Sequence, residues 1–125
     1  MSNARERIPD QHRLRSVADF ARMRSDGRAV RGDHCLVVTV SAPSEPTRIA
    51  FVASRKGVGG AVQRNRARRR LREIVRRRWP RMAHEGHWLM FVAFRTTLTA
   101  PHAELARDVE GLLSQVGALP SGAGN

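Results

Sequence analysis

Residues 64–78, RNRARRRLREIVRRR, constrain this chain more than any other stretch. They hold nine arginines, at 64, 66, 68, 69, 70, 72, 76, 77 and 78, against one acid, Glu73, so the local charge is +8. Ala67, Leu71, Ile74, Val75 and Trp79 recur among them at intervals of three and four, which predicts an amphipathic helix with one apolar face. A basic tail would have no use for such a stripe, so the segment folds against a core. At about 100° per residue, Asn65, Arg68, Arg69, Arg72 and Arg76 fall in one sector beside the stripe, and Arg66, Arg70 and Arg77 on the other side. An ordinary solvated helix would intersperse acids for pairing at i, i+4. Base composition explains why Lys56 is the single lysine, but not the excess charge. The partner this pattern fits is a dense polyanion, nucleic acid first.

The other bulk properties narrow the reading. A chain of 125 residues makes one domain, and a net charge of +12 favours nucleic acid or an anionic membrane surface. The longest apolar run, residues 88–94, falls far short of the roughly 20 residues of a membrane span. The first residues, MSNARERIPDQHR, lack an apolar signal region, so the expected compartment is the cytoplasm, with no membrane partner. Cys35 lies alone in an apolar run and reads as core.

Taken in order, residues 1–13 show no periodicity and are expected to form a flexible basic arm. Ser16, with Asp19 three residues on, caps a helix over residues 17–25 that Gly27 ends. Phe20 on that helix reads either as a core anchor or as a platform on which a base stacks. Strands follow at residues 29–32 and 35–41, then a turn at residues 42–47 (APSEPT), whose two prolines disfavour strand pairing. In the strand at residues 48–54, Ile49, Phe51 and Ala53 alternate with Arg48, Ala50, Val52 and Ser54. The bulky set is expected to face the helices, and the small set to form a shallow groove. Gly57, Gly59 and Gly60 make a flexible bend before the basic helix, through which Arg55 and Lys56 reach outward. Residues 87–94 are apolar on both faces and predict a central strand. A last helix starts near Thr99 and Pro101 and closes at Gly117, which leaves residues 118–125 as a disordered tail and residues 14–117 as the single RNA-binding domain.

No protein-borne active site assembles from these residues. His84 and His87 have a loose metal spacing that no cysteine or carboxylate completes, and the acids form no two-metal cluster. The expectation is no catalytic residue, no protein metal site and a binding protein. Absence of a dimer signal or helix-turn-helix spacing argues against DNA.

The segment SRKGVGGAVQRNRARRRLRE, residues 54–73, closely resembles the signature of the protein subunit of bacterial ribonuclease P, whose hallmark RNR stands here as Arg64, Asn65 and Arg66. The similarity extends from Arg13 and Leu14 through Asp19, Phe20 and Gly27 to the last helix, roughly residues 13–117. It implies an α/β (α+β) two-layer sandwich of order α-β-β-β-α-β-α, ribosomal-protein-S5-domain-2-like, with a left-handed β-α-β crossover through the basic helix. It also implies a partnership with the catalytic ribonuclease P RNA and the 5′ leader of precursor tRNA, and Mg²⁺ held by RNA and substrate. Carried over by match, Phe20, Arg48, Val52 and Ser54 would line the leader cleft, with Asn65 and Arg69 at its edge. Arg55, Lys56, Arg64, Asn65, Arg66, Arg68, Arg69, Arg70 and Arg72 would meet RNA. Where relatives often carry further aromatics this chain has Arg24 and Val38, and Phe94 stands where many have a basic residue, so leader binding is expected to lean on charge. The runner-up from residues alone is a ribosomal or ribosome-assembly protein that binds ribosomal RNA.

Overall fold

The computed structural model describes residues 8–120. Its elements run α1 (Val17–Asp26), β1 (Arg28–Arg31), β2 (Cys35–Pro46), β3 (Arg48–Val52), α2 (Ala61–Arg78), β4 (Glu85–Ala93), α3 (Thr96–Thr99) and α4 (His102–Gln115), with 3-10 turns at Asp10–His12 and Trp79–Arg81. This is the expected α-β-β-β-α-β-α order with one extra helical turn, α3, before the last helix. The four strands form one sheet in the order β1-β2-β4-β3. β1 and β2 are antiparallel, as are β2 and β4, while β3 pairs parallel with β4. β4 is thus central, as its two-sided apolar run requires, and α2 makes the crossover between the two parallel strands.

Strand alternation sorts the sheet residues onto two faces. Cys35, Val37, Ile49, Leu89 and Phe91 join Ala67, Leu71, Ile74 and Val75 of α2 and Leu105, Val109, Leu112 and Leu113 of α4 in the main core. The opposite face was expected to be a groove, yet most of it carries a second, smaller core. Leu14, Met23, Val40, Ala42, Ala50 and Trp88 pack there beneath α1. α1 is held by the expected capping box: the Asp19 N–H donates to Ser16 Oγ at 3.0 Å, and Asp19 Oδ2 accepts from the Ser16 N–H. Gly27 ends the helix with φ of −75°, in extended rather than left-handed backbone. Its hydrogen is needed for closeness, since a Cβ would collide with the Met23 carbonyl and a Val38 methyl.

Three boundaries move for physical reasons. The expected turn at residues 42–47 is largely strand: β2 runs on to Pro46, with a register shift against β4 between Ala42 and Pro46 that accommodates the prolines. Part of the expected arm is folded. Ile8 and His12 are buried, His12 Nδ1 lies 2.6 Å from the Thr47 carbonyl, and the His12 ring packs edge-on against Trp79. Part of the expected tail is folded too, because Ala118 and Leu119 are buried and their amides donate to the Leu113 carbonyl. The remainder of the expected arm and tail, residues 1–7 and 121–125, lies outside the described residues.

The β1–β2 connection is fastened from a distance. The Asp108 carboxylate on α4 accepts from the Asp33 N–H at 2.9 Å and the His34 N–H at 2.8 Å. At Gly32 a Cβ would stand 2.7 Å from both carboxylate oxygens. Burial, then the nearby Asp108 charge, pushes the Cys35 thiol up to about 12, so it stays a neutral core group. Asp108→Ala should therefore lower stability by about 2 kcal/mol in urea unfolding, as expected when a charged acceptor leaves two amides. Arg107→Ala, on the exposed side of the same helix, should stay within about 0.5 kcal/mol.

Candidate nucleic-acid interface

The structure divides the arginines of α2 into inward and outward groups. Arg70 was expected to meet RNA, but its guanidinium donates to the carbonyls of Thr97 at 2.7 Å and Ala100 at 2.8 Å, where α3 ends. These carbonyls have no onward helical partner, so a fixed cation on α2 satisfies them. Arg78 is drawn inward as well, to Glu110 at 3.0 Å and the Ile74 carbonyl at 3.0 Å. Arg76 pairs with Glu73, whose carboxyl is held below its ordinary range chiefly by that hydrogen bond. Arg66, Arg69, Arg72 and Arg77 are exposed, as are Arg55, Lys56 and Asn65. Arg68 is half-buried and donates to Asn65 Oδ1, while half-buried Arg64 keeps its Nε away from any acceptor.

The approach to α2 is built by the bend. Ser54 Oγ accepts from the Gly57 N–H at 2.8 Å and the Ser54 carbonyl accepts from the Val58 N–H at 2.9 Å, while the buried Val58 anchors the loop. Gly59 then takes φ of +139°, which favours glycine. Gly60 begins α2 without a side-chain cap, so no capping side chain takes up the first-turn amides. Ser54 therefore shapes the bend, a role its sequence position did not disclose.

Two surfaces adjoin this charge. On the α1 face of the sheet, the row Arg31, Leu36, Val92 and Val52 runs across all four strands. Leu36, Val92 and Val52 are half-buried and join neither core, so the small groove expected on this face survives only at this end, with Val52 in it. The second is a cavity of about 500 Å³ at the outer edge of β3. Leu14, Phe20 and Ala50 line it from the α1 side, Ile49, Phe51, Arg72 and Arg76 from the α2 side, and Ile8 and Arg13 from the N-terminal segment. Phe20 is half-buried and belongs to both descriptions: it packs on the second core and presents the rest of its ring to the cavity. Of the expected cleft residues, only Phe20 lines this cavity. Arg72, Arg76 and Arg13 stand at its edge, where Asn65 and Arg69 had been expected.

Arg48 holds α1 in place. Its Nη1 lies 3.6 Å from Asp19 Oδ2, and its guanidinium sits 5.3 Å from the Trp88 ring centre. Arg22 covers the same ring at 4.4 Å and pairs with Glu45 at 3.1 Å. Sequence reasoning missed both interactions, because nothing local links position 22 or 48 to Trp88. At Arg72, burial and then the charges of Arg13, Arg68 and Arg69 lower the pKa below its ordinary value.

The comparisons with known proteins agree with this architecture. The family description Ribonuclease P matches residues 8–117. The ribonuclease P protein component of Symbiobacterium thermophilum is 40% identical over 109 residues, covering 86% of this chain and 93% of that relative. That of Chloroflexus aurantiacus is 38% identical over 110 residues, covering 88% and 81%. Among solved structures, the ribonuclease P protein of Staphylococcus aureus superposes with a TM-score of 0.73 at 21% identity, over 86% of this chain and 97% of that one. The protein from Thermotoga maritima gives 0.71 at 22%, over 82% and 96%. In class, then, the molecule is a small basic α/β protein with an outward-facing arginine helix. The chain belongs to the ribonuclease P protein family.

Two outcomes follow. Arg70→Ala should destabilise the free protein by about 2 kcal/mol, since it removes two charge-assisted bonds to carbonyls; Arg66→Ala should leave thermal unfolding nearly unchanged. At Asp19, burial raises the carboxyl, but the Arg15 and Ser16 hydrogen bonds and the Arg48 charge outweigh it and hold the group below its ordinary value. A depressed carboxyl contributes stability that is complete above its unfolded value near about 4 and is lost as pH falls through the folded value. Asp19→Asn should therefore flatten the acid limb of the stability profile, measured by unfolding between neutral and acid pH.

Proposed function

We propose that this chain is the protein component of a ribonuclease P holoenzyme, where it binds the catalytic RNA and the 5′ leader of precursor tRNA and promotes Mg²⁺-dependent endonucleolytic removal of the leader. Family membership supports this reading over the ribosomal alternative. The observation that carries it is the juxtaposition of an outward arginine face with an aromatic-edged cavity and an apolar row on the neighbouring sheet. Arg55, Lys56, Arg64, Arg66, Arg68, Arg69 and Arg72 meet RNA phosphates, and the uncapped first turn of α2 offers further amide donors. The cavity and the row at Val52 take the single-stranded leader.

Catalysis in this reading belongs to the RNA. Mg²⁺ would be held by that RNA and the substrate and not by residues of this chain, and would supply water activation and charge stabilisation there. Among the described residues no three of His, Cys, Asp and Glu come together as ligands for an ion, and no residue of this chain is assigned a step in the chemistry. What the chain supplies is fixed positive charge, which offsets phosphate repulsion and lowers the Mg²⁺ needed. Among the described residues no helix is long and apolar enough to cross a membrane, and the cytoplasm is the compartment proposed.

The test is a cleavage assay on precursor tRNA with the protein alone, the catalytic RNA alone and both. Cleavage is expected only where the RNA is present, and at lower Mg²⁺ with the protein. Site-specific cleavage by contaminant-free protein alone would overturn the reading. Replacing Arg55 and Lys56 with Ala should also flatten the log–log salt dependence of RNA binding, by about 0.7 to 0.9 for each phosphate the variant no longer neutralises.

A further inference from the structure

Among the described residues, the outer edge of β3 is closed at one residue and open two residues later. Arg13 bridges Ile49 in parallel, and the Leu14 N–H donates to the Ile49 carbonyl at 3.0 Å. The chain then leaves the sheet at Arg15 and Ser16 to enter α1. In a strand the backbone groups of successive residues point to alternate edges. Ile49 points outward, so Ala50 turns its N–H and C=O to β4, and Phe51 turns its own N–H and C=O outward again. No described residue pairs with them from that side. They open into the cavity of about 500 Å³, within the usual range of about 300–1,000 Å³ for small-ligand sites.

We infer that the Phe51 backbone is a reader of unpaired bases: one leader nucleotide enters the cavity, pairs the Watson–Crick edge of its base with the Phe51 N–H and C=O, and leaves its phosphate to Arg13 and Arg72. The inference deepens the proposed leader-binding function and rests on it. All four bases carry a donor beside an acceptor on that edge, so a fixed N–H and C=O take an unpaired base and refuse one already in a duplex. Phe20 supplies a ring on the α1 side. Charge selects the occupant. An extended peptide could also pair with an open strand edge, but the described lining residues include no acid, and Arg72 stands there with Arg13, whose one ion pair among the described residues is a 3.7 Å approach to the exposed Asp10. The Arg72 guanidinium stands 5.6 Å from the Phe51 ring centre, over the same opening.

The decisive measurement is residue-resolved amide hydrogen exchange on the reconstituted holoenzyme, without tRNA, with mature tRNA and with precursor tRNA, alongside both tRNA affinities. The Phe51 amide should exchange freely in the first two states and slow by about ten-fold or more with precursor. One abasic leader nucleotide should abolish the slowing and weaken precursor binding by about ten-fold. A DNA oligonucleotide annealed to the leader should do the same. If precursor is preferred over mature tRNA while the Phe51 amide still exchanges freely, the leader is held elsewhere and the inference fails, with the proposed function intact. Slowing already present without tRNA assigns the edge to another occupant and also overturns it. If precursor is not preferred at all, the leader-binding reading itself fails.

Discussion

The structure depends on burying one face of α2. With +8 over residues 64–78, the helix carries many like-charged neighbours, each pair costing about 0.2–0.5 kcal/mol at i, i+4. Leu71, Ile74 and Val75 are fully buried against the sheet, and each contributes about 1.5–3 kcal/mol. Packing outweighs repulsion, so α2 is a helix because the sheet is there. Its charge must then leave sideways, along both flanks of the buried stripe.

The two flanks meet different surroundings. On the flank facing α3, Arg70 is taken up by carbonyls that a helix end leaves unpaired, and near the C-terminus Arg78 is taken up by Glu110. On the other flank, Arg69 and Arg72 face solvent and Arg72 overhangs the cavity beside β3. Interior cations stiffen the fold, and exterior ones are available to an anion. A second clamp, Trp88 between Arg22 and Arg48, sets the position of α1, and thereby of Phe20. The aromatic edge of the cavity is thus tied to charged residues that lie outside it.

Much of this was legible in the residues. Spacing located α2 and its stripe, the capping residues Ser16 and Asp19 located α1, and the two-sided apolar run placed β4 at the centre of the sheet. What spacing could not show was long-range pairing. A helical wheel assigns Arg70 to a flank, but only the fold brings α3 carbonyls to it. The alternation in β3 separates Ala50 from Ile49, but not that α1 would cover Ala50 and leave Val52 uncovered. The prolines at 43 and 46 read as a turn, because a bulged strand carries the same residues. His12 looked like part of an arm because its partners, Thr47 and Trp79, are far along the chain.

The central claim is that the outward arginine face belongs to one catalytic RNA. It is tested most directly by cross-linking the protein to RNA in its own cells, recovering it under denaturing conditions and sequencing what is attached. The account predicts a single abundant species, the ribonuclease P RNA, with precursor tRNA leaders as a minor fraction. Ribosomal RNA as the dominant species, with ribonuclease P RNA at background, would contradict it.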